Sequence, residues 1–164
     1  MKSTGFHSSA RRRDNDAKGK PYSSLTVGVP RETYPNERRV SLTPQNTALL
    51  LKKGFGKILV EENAGAEAKF LDEQYASAGA TLVSRGDLYA ASDVVLKVRP
   101  PSIPEEVDSL KEGSSLISFL YPAQNKELVE RLAARNVDAL AVRAMIHPTV
   151  STGLTSCANF CRWT

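Results

Sequence analysis

A chain of 164 residues with 41% hydrophobic and 24% charged side chains has the composition of a globular domain with a tail, which excludes a collagen or a wholly disordered chain. Two cysteines are too few to staple a fold, and no uncharged apolar run approaches the roughly 18 residues a membrane helix needs. The net charge of +4 sits wholly in residues 1–24, and the rest of the chain balances its acids and bases, so the body lacks the basic face that grips nucleic acid.

Residues 1–24 show no apolar periodicity and are expected to form a disordered basic tail. No apolar stretch of the kind a secretory signal needs follows the basic residues. Phe6, His7, Ala10 and Arg11–Arg13 suit a mitochondrial transit peptide, whereas Asp14 and Asp16 speak for a plain solvated terminus.

From Leu25 strands and helices alternate. Leu25–Val29 is a short β-branched run ended by Pro30. Thr43 caps a helix with Pro44 in its first turn, and Gly54 stops it. Ile58–Val60 is the second strand, Leu71–Ala78 a helix closed by Gly79, and Thr81–Val83 the third strand. A helical turn over Asp87–Ala91 leads to the fourth strand, Val94–Val98, and Ser115–Tyr121 is the fifth. Asn125–Arg135 is amphipathic, with Leu128, Val129, Leu132 and Ala133 on one stripe, and Ala139–Val142 is the sixth strand. This order predicts an α/β fold with a mostly parallel sheet covered by helices on both faces, a flavodoxin- or Rossmann-like lobe over residues 25–142. Residues 143–164 have no clear period and read as a divergent, truncated segment.

No metal site is expected: Cys157 and Cys161 have only His7 and His147 as imidazole partners, neither at ligand spacing. No glycine-rich dinucleotide turn follows any strand, and there is no phosphate loop. Three polar stretches fall at strand ends, where open α/β sheets place ligands. They are Arg31 to Arg39, Lys97 with Arg99, and Tyr121 to Asn125. Arg39 and Lys97 converging on a crevice would grip a small carboxylate; alternatively each pairs with Glu32 or Glu37. Tyr121 and Gln124 complete the pocket candidates.

Val29-Pro30-Arg31-Glu32 followed by Asn36 to Pro44 resembles the opening motif of the alanine dehydrogenase and pyridine nucleotide transhydrogenase family. Gly65 to Ala68, Tyr75 to Ala80 and Ser92 to Pro101 continue it in order, so the resemblance runs from about Leu25 to Leu140. It implies that Arg39 and Lys97 match the substrate-carboxylate positions of the dehydrogenases. Alanine dehydrogenases carry a histidine shortly after the tyrosine of the fifth strand. Tyr121-Pro122-Ala123-Gln124-Asn125 has none and resembles transhydrogenases, so no catalytic residue is assigned here.

The resemblance implies the first lobe of the NAD(H)-side part of a proton-translocating transhydrogenase, which passes hydride between NAD(H) and NADP(H). Its partners would be the dinucleotide lobe, the membrane part and the NADP(H) part, in a homodimeric enzyme at the mitochondrial inner membrane, matrix side, or a bacterial-type plasma membrane. The nicotinamide-contacting residues that transhydrogenases place after the sixth strand are missing from Met145–Leu154. The chain alone is therefore expected to be inactive, to bind no cofactor tightly and to self-associate through its Leu140–Leu154 end. A non-catalytic module of the same fold and an alanine dehydrogenase-like fragment are the alternatives.

Overall fold

In the computed structural model, which describes residues 19–142, the apolar runs become six parallel strands with five helices between them. The strands are β1 (Thr26–Val29), β2 (Lys57–Glu61), β3 (Thr81–Val83), β4 (Val94–Leu96), β5 (Ser115–Ser118) and β6 (Asp138–Ala141). They pair in the order β3-β2-β1-β4-β5-β6. The direction of strand addition therefore reverses between β1 and β4, and the carboxyl ends of those two strands flank the switch point of a Rossmann-type sheet.

The helices are α1 (Pro44–Lys52), α2 (Asp72–Ser77), α3 (Arg85–Ala91), α4 (Glu105–Ser109) and α5 (Lys126–Ala134). Their ends follow local chemistry. The Thr43 hydroxyl accepts from the Asn46 N–H at the start of α1, and Gly54 takes φ 96° just past its end. Ser84 caps α3 in the same way, accepting from the Asp87 N–H. Gly79 closes the turn after α2 at φ 94°. The sequence pattern gives no sign of α4, which is too short to show a period, although Glu105 and Glu106 just after Pro104 suit a helix start.

Two apolar layers sandwich the sheet. One packs Leu88 and Tyr89 of α3, Val107 of α4, and Leu128 and Leu132 of α5 against Leu59, Val95, Leu116 and Ala139. The other packs Tyr75 of α2 and the partly buried Leu50 and Leu51 of α1 against Val27, Val29, Ile58 and Val60. The expectation of helices on both faces is met over β1 to β3. Over β4 to β6 the second face has no helix among the described residues.

Residues 22–24, which composition places in the tail, form a turn of 3-10 helix. The Tyr22 carbonyl accepts from the Gly56 N–H at 3.0 Å, and the Tyr22 ring lies 5.3 Å from that of Phe55. One aromatic with a partner across the α1–β2 turn is enough to order a segment whose composition reads as solvated. The expectations for residues 1–18 and 143–164 lie outside the described residues.

Candidate functional site

The loop leaving β1 is shaped by a tight turn. Tyr34-Pro35-Asn36-Glu37 closes with the Glu37 N–H donating to the Tyr34 carbonyl at 3.1 Å. Proline stands second and Asn36, at φ 62°, third, which is the type II arrangement. The turn brings Glu37 back under the end of β4. There its carboxylate accepts from Arg39 Nε and Nη2, each at 2.7 Å, and from Arg99 Nε at 2.7 Å. The Arg39 fork, then the Arg99 bond, hold this carboxyl down at about 2 against the opposing effect of burial. Arg99 also lies over the Tyr34 ring, 4.9 Å from its centroid.

Glu32, five residues earlier, stitches the switch point itself. Its Oε1 accepts from the Val98 N–H at 2.6 Å and its Oε2 from the Arg99 N–H at 3.3 Å. Lys97 Nζ stands 3.8 Å from the same carboxylate. Burial pushes the Glu32 carboxyl up, and the Lys97 charge only partly offsets that.

Lys97 is turned into the layer under α3 and α4, with 1% of its side chain exposed. It donates to Glu106 Oε1 at 2.8 Å and Oε2 at 2.9 Å. The Ser102 N–H and the Tyr89 hydroxyl complete the carboxylate's partners. Burial alone would raise the Glu106 carboxyl, but Lys97 with these donors outweighs it and the net displacement is downward. The Tyr89 phenol is pushed up, chiefly by burial and then by Glu106.

Tyr121 and Gln124 share a hollow of 560 Å³ with Tyr34, Arg99, Pro101 and Asn125. Tyr121 takes φ 48°, which lets its carbonyl accept from the N–H groups of both Gln124 and Asn125. The Asn125 side chain is spent on the Leu120 carbonyl, donating at 2.8 Å. Arg39 lines a neighbouring hollow of 490 Å³ with Arg31, Glu32, Arg38 and Arg85.

Of the four pocket residues named from sequence, Tyr121 and Gln124 come together, while Arg39 lines the neighbouring hollow, which shares Tyr34 with theirs. Lys97 is in neither of these two hollows, and both it and Arg39 line a third, apolar one on the open sheet face. The cation that joins Arg39 on a common carboxylate is Arg99. Sequence reasoning singled out Lys97 because a lysine in a buried strand needs an anion, and that anion is Glu106. Position 99 lies past the end of β4, where strand alternation no longer says which way a side chain points. Among the described residues no group of three His, Cys, Asp or Glu side chains could hold a metal ion, and no helix is long and apolar enough to cross a membrane.

What the arrangement offers chemically is a rim of guanidinium, phenol and amide groups around the carboxyl ends of β1, β4 and β5. Its strongest cations are already matched by internal carboxylates. Among the described residues no imidazole stands at the end of β5.

Comparison with known proteins places this geometry. The alpha subunit of the NAD(P) transhydrogenase of Haemophilus influenzae is 39% identical over 74% of this chain and 23% of its own length. The alanine dehydrogenase of Bacillus subtilis is 36% identical over 80% of this chain and 33% of its own. The chain thus spans 22% to 35% of the length of the curated relatives it matches. Among solved structures, the transhydrogenase from Sinorhizobium meliloti superposes with a TM-score of 0.67 at 31% identity, covering 71% of this chain and 33% of that one. An L-alanine dehydrogenase gives 0.69 at 33% identity, covering 76% and 34%. The family described as alanine dehydrogenase/PNT, N-terminal domain, matches residues 28–160. With the motifs, the parallel sheet and most of its length in agreement, the chain belongs to the alanine dehydrogenase/PNT family and carries that family's N-terminal domain.

Proposed function

We propose that this chain serves as the first lobe of the NAD(H)-side part of an NAD(P) transhydrogenase, and that it is inactive alone. The observation that carries this reading is the end of β5. There Tyr121-Pro122-Ala123-Gln124-Asn125 stands without an imidazole among the described residues, and Asn125 is held by the Leu120 carbonyl. An amino-acid dehydrogenase must move a proton at the substrate's nitrogen, and no imidazole among the described residues stands at this strand end to do so. A hydride exchange between two nicotinamides needs no such group; it needs the two rings held at near-attack distance.

On this reading Lys97 and Arg39 hold the lobe together rather than a substrate, while Tyr121 and Gln124 form the wall that faces a cofactor seated elsewhere. The cofactor is supplied by a separate dinucleotide lobe, which is the partner. The complete enzyme is a homodimer, attached to the mitochondrial inner membrane on the matrix side or to a bacterial-type plasma membrane, and couples hydride transfer to proton movement.

Isothermal titration of the purified chain with NADH tests the inactive-alone claim, with no heat of binding expected. Micromolar binding would place a cofactor site within this lobe and overturn it. Adding the chain to a transhydrogenase lacking its own first lobe should restore NADH-dependent reduction of an NADP⁺ analogue. Alanine-dependent formation of NADH in a corresponding mixture with an alanine dehydrogenase second lobe would instead favour the dehydrogenase reading.

A further inference from the structure

The hollow that Arg39 lines carries more positive charge than its acids absorb. Arg31, Arg38, Arg39 and Arg85 surround its 490 Å³, and the acids on the same wall are Glu32, Glu37 and Glu67. Glu32 is taken up by Lys97 and by the Val98 and Arg99 N–H groups, and Glu37 by Arg39 and Arg99. That leaves Glu67 facing the side chains of Arg31 and Arg38. Those two are exposed and make no side-chain hydrogen bond or ion pair among the described residues. Glu61, only 8% exposed, organises one side of the hollow from the end of β2. Its Oε2 accepts from the Arg31 N–H at 2.8 Å and its Oε1 from Arg85 Nε at 3.0 Å. One buried carboxylate thus fixes the Arg31 backbone and holds Arg85 by its Nε, leaving the two Nη groups without a partner among the described residues.

We propose that this hollow binds a phosphoryl dianion, that of a small phosphomonoester or of free phosphate, with Arg31, Arg38 and Arg85 as its donors. The three guanidiniums come from separate places. Arg31 follows β1, Arg38 follows the Tyr34–Glu37 turn, and Arg85 opens α3. A planar carboxylate is satisfied by one fork, as Glu37 is by that of Arg39. Three forks from separate points suit a group with three terminal oxygens and two negative charges, which guanidinium meets two oxygens at a time. The volume falls within the range of small-molecule sites, about 300–1,000 Å³, which leaves room for the body of an ester beside its phosphoryl group. Arg39 stays on Glu37 and takes no part, so the site is separate from the carboxylate grip that the family resemblance assigns to Arg39 and Lys97.

Isothermal titration of the full chain with inorganic phosphate and with ribose 5-phosphate, at constant ionic strength, tests the site. Both should bind, and ribose alone should not. Tighter binding of the ester names a phosphomonoester as the ligand, equal binding names free phosphate, and either result supports the site. Arg31→Gln and Arg38→Gln alter exposed side chains and should leave circular dichroism unchanged, while each weakens phosphate binding about tenfold. Glu67→Gln, which removes the facing acid, should tighten it about two- to fivefold. Lys53→Gln takes the same charge from the exposed end of α1 and should change nothing. No binding at millimolar phosphate, or equal weakening by Lys53→Gln and Arg31→Gln, would overturn the proposal. NADH has no part in this measurement, so its outcome is independent of whether the chain serves a transhydrogenase.

Discussion

The Lys97 ammonium meets both oxygens of the Glu106 carboxylate, at 2.8 and 2.9 Å, in a layer where each side chain is at most 2% exposed. The pair ties the end of β4 to α4. A buried ion pair of this kind is weak evidence of net stabilisation, yet breaking it is expensive because the survivor stays charged without a partner.

Lys97→Met alone should therefore destabilise the lobe by about 3–5 kcal/mol, whereas Lys97→Met combined with Glu106→Leu should recover most of that loss. Urea unfolding of the two variants and the parent decides the matter. Equal losses in the single and double variants would mean that the two side chains do not act as a unit.

Glu37 makes acid stability the next readout. Its carboxyl is held at about 2, against an ordinary 4.5, first by the Arg39 side chain. A depressed acid contributes stability that is fully present above the ordinary value and is lost as pH falls from about 4.5 towards about 2. Glu37→Gln should weaken the lobe by about 1–2 kcal/mol at neutral pH and flatten the stability profile in that window. Glu32 acts with the opposite sign: its raised carboxyl favours the fold when protonated, and that contribution is lost as pH rises through its folded value. A Glu37→Gln profile parallel to that of the parent below pH 4.5 would show that the arginine fork has been given too much weight.

Gly28 in β1 is the third test. A Cβ there would fall onto the Ser92 hydroxyl and within 2.9 Å of Leu88 Cδ2, both anchored on the α3 side of the sheet. Ser92 is itself held, donating to the Leu88 carbonyl at 2.6 Å. Gly28→Ala should push α3 off the sheet and lower stability by about 1–3 kcal/mol, as overpacking does. The same change at Gly86, which has open space around it, should leave the fold intact. Thermal melts of the two variants side by side check the contrast.

How much of this could be read without coordinates differs by element. Thr43 with Pro44, Gly54 and Gly79 announce helix ends through chemistry that is local to a few residues, and the structure has them there. The six strands were visible for the same reason, as short apolar runs between turn residues. The strand order was not, because β1 pairs with β4 across 66 intervening positions and no local pattern encodes that. The site shows the same division. Lys97 advertises a buried anion by its setting in Val95-Leu96-Lys97-Val98, but the identity of that anion depends on α4, five residues long and silent in the periodicity. Arg99 lies in a stretch the sequence marks as polar, but its pairing with Glu37 is invisible there, because their meeting requires the Asn36 turn to fold the loop back.

The Glu32 stitch has a bearing on ligands as well as on the sheet. In an open α/β sheet the gap between the reversing strands is where backbone N–H groups stand free to receive an anion. Here the N–H groups of Val98 and Arg99 have already been claimed by Glu32, which the loop after the neighbouring strand supplies. Those two donors are therefore satisfied within the lobe itself rather than left open at the gap. The lobe has the strand order of a nucleotide-binding sheet, with two backbone donors at its centre already spent on its own carboxylate.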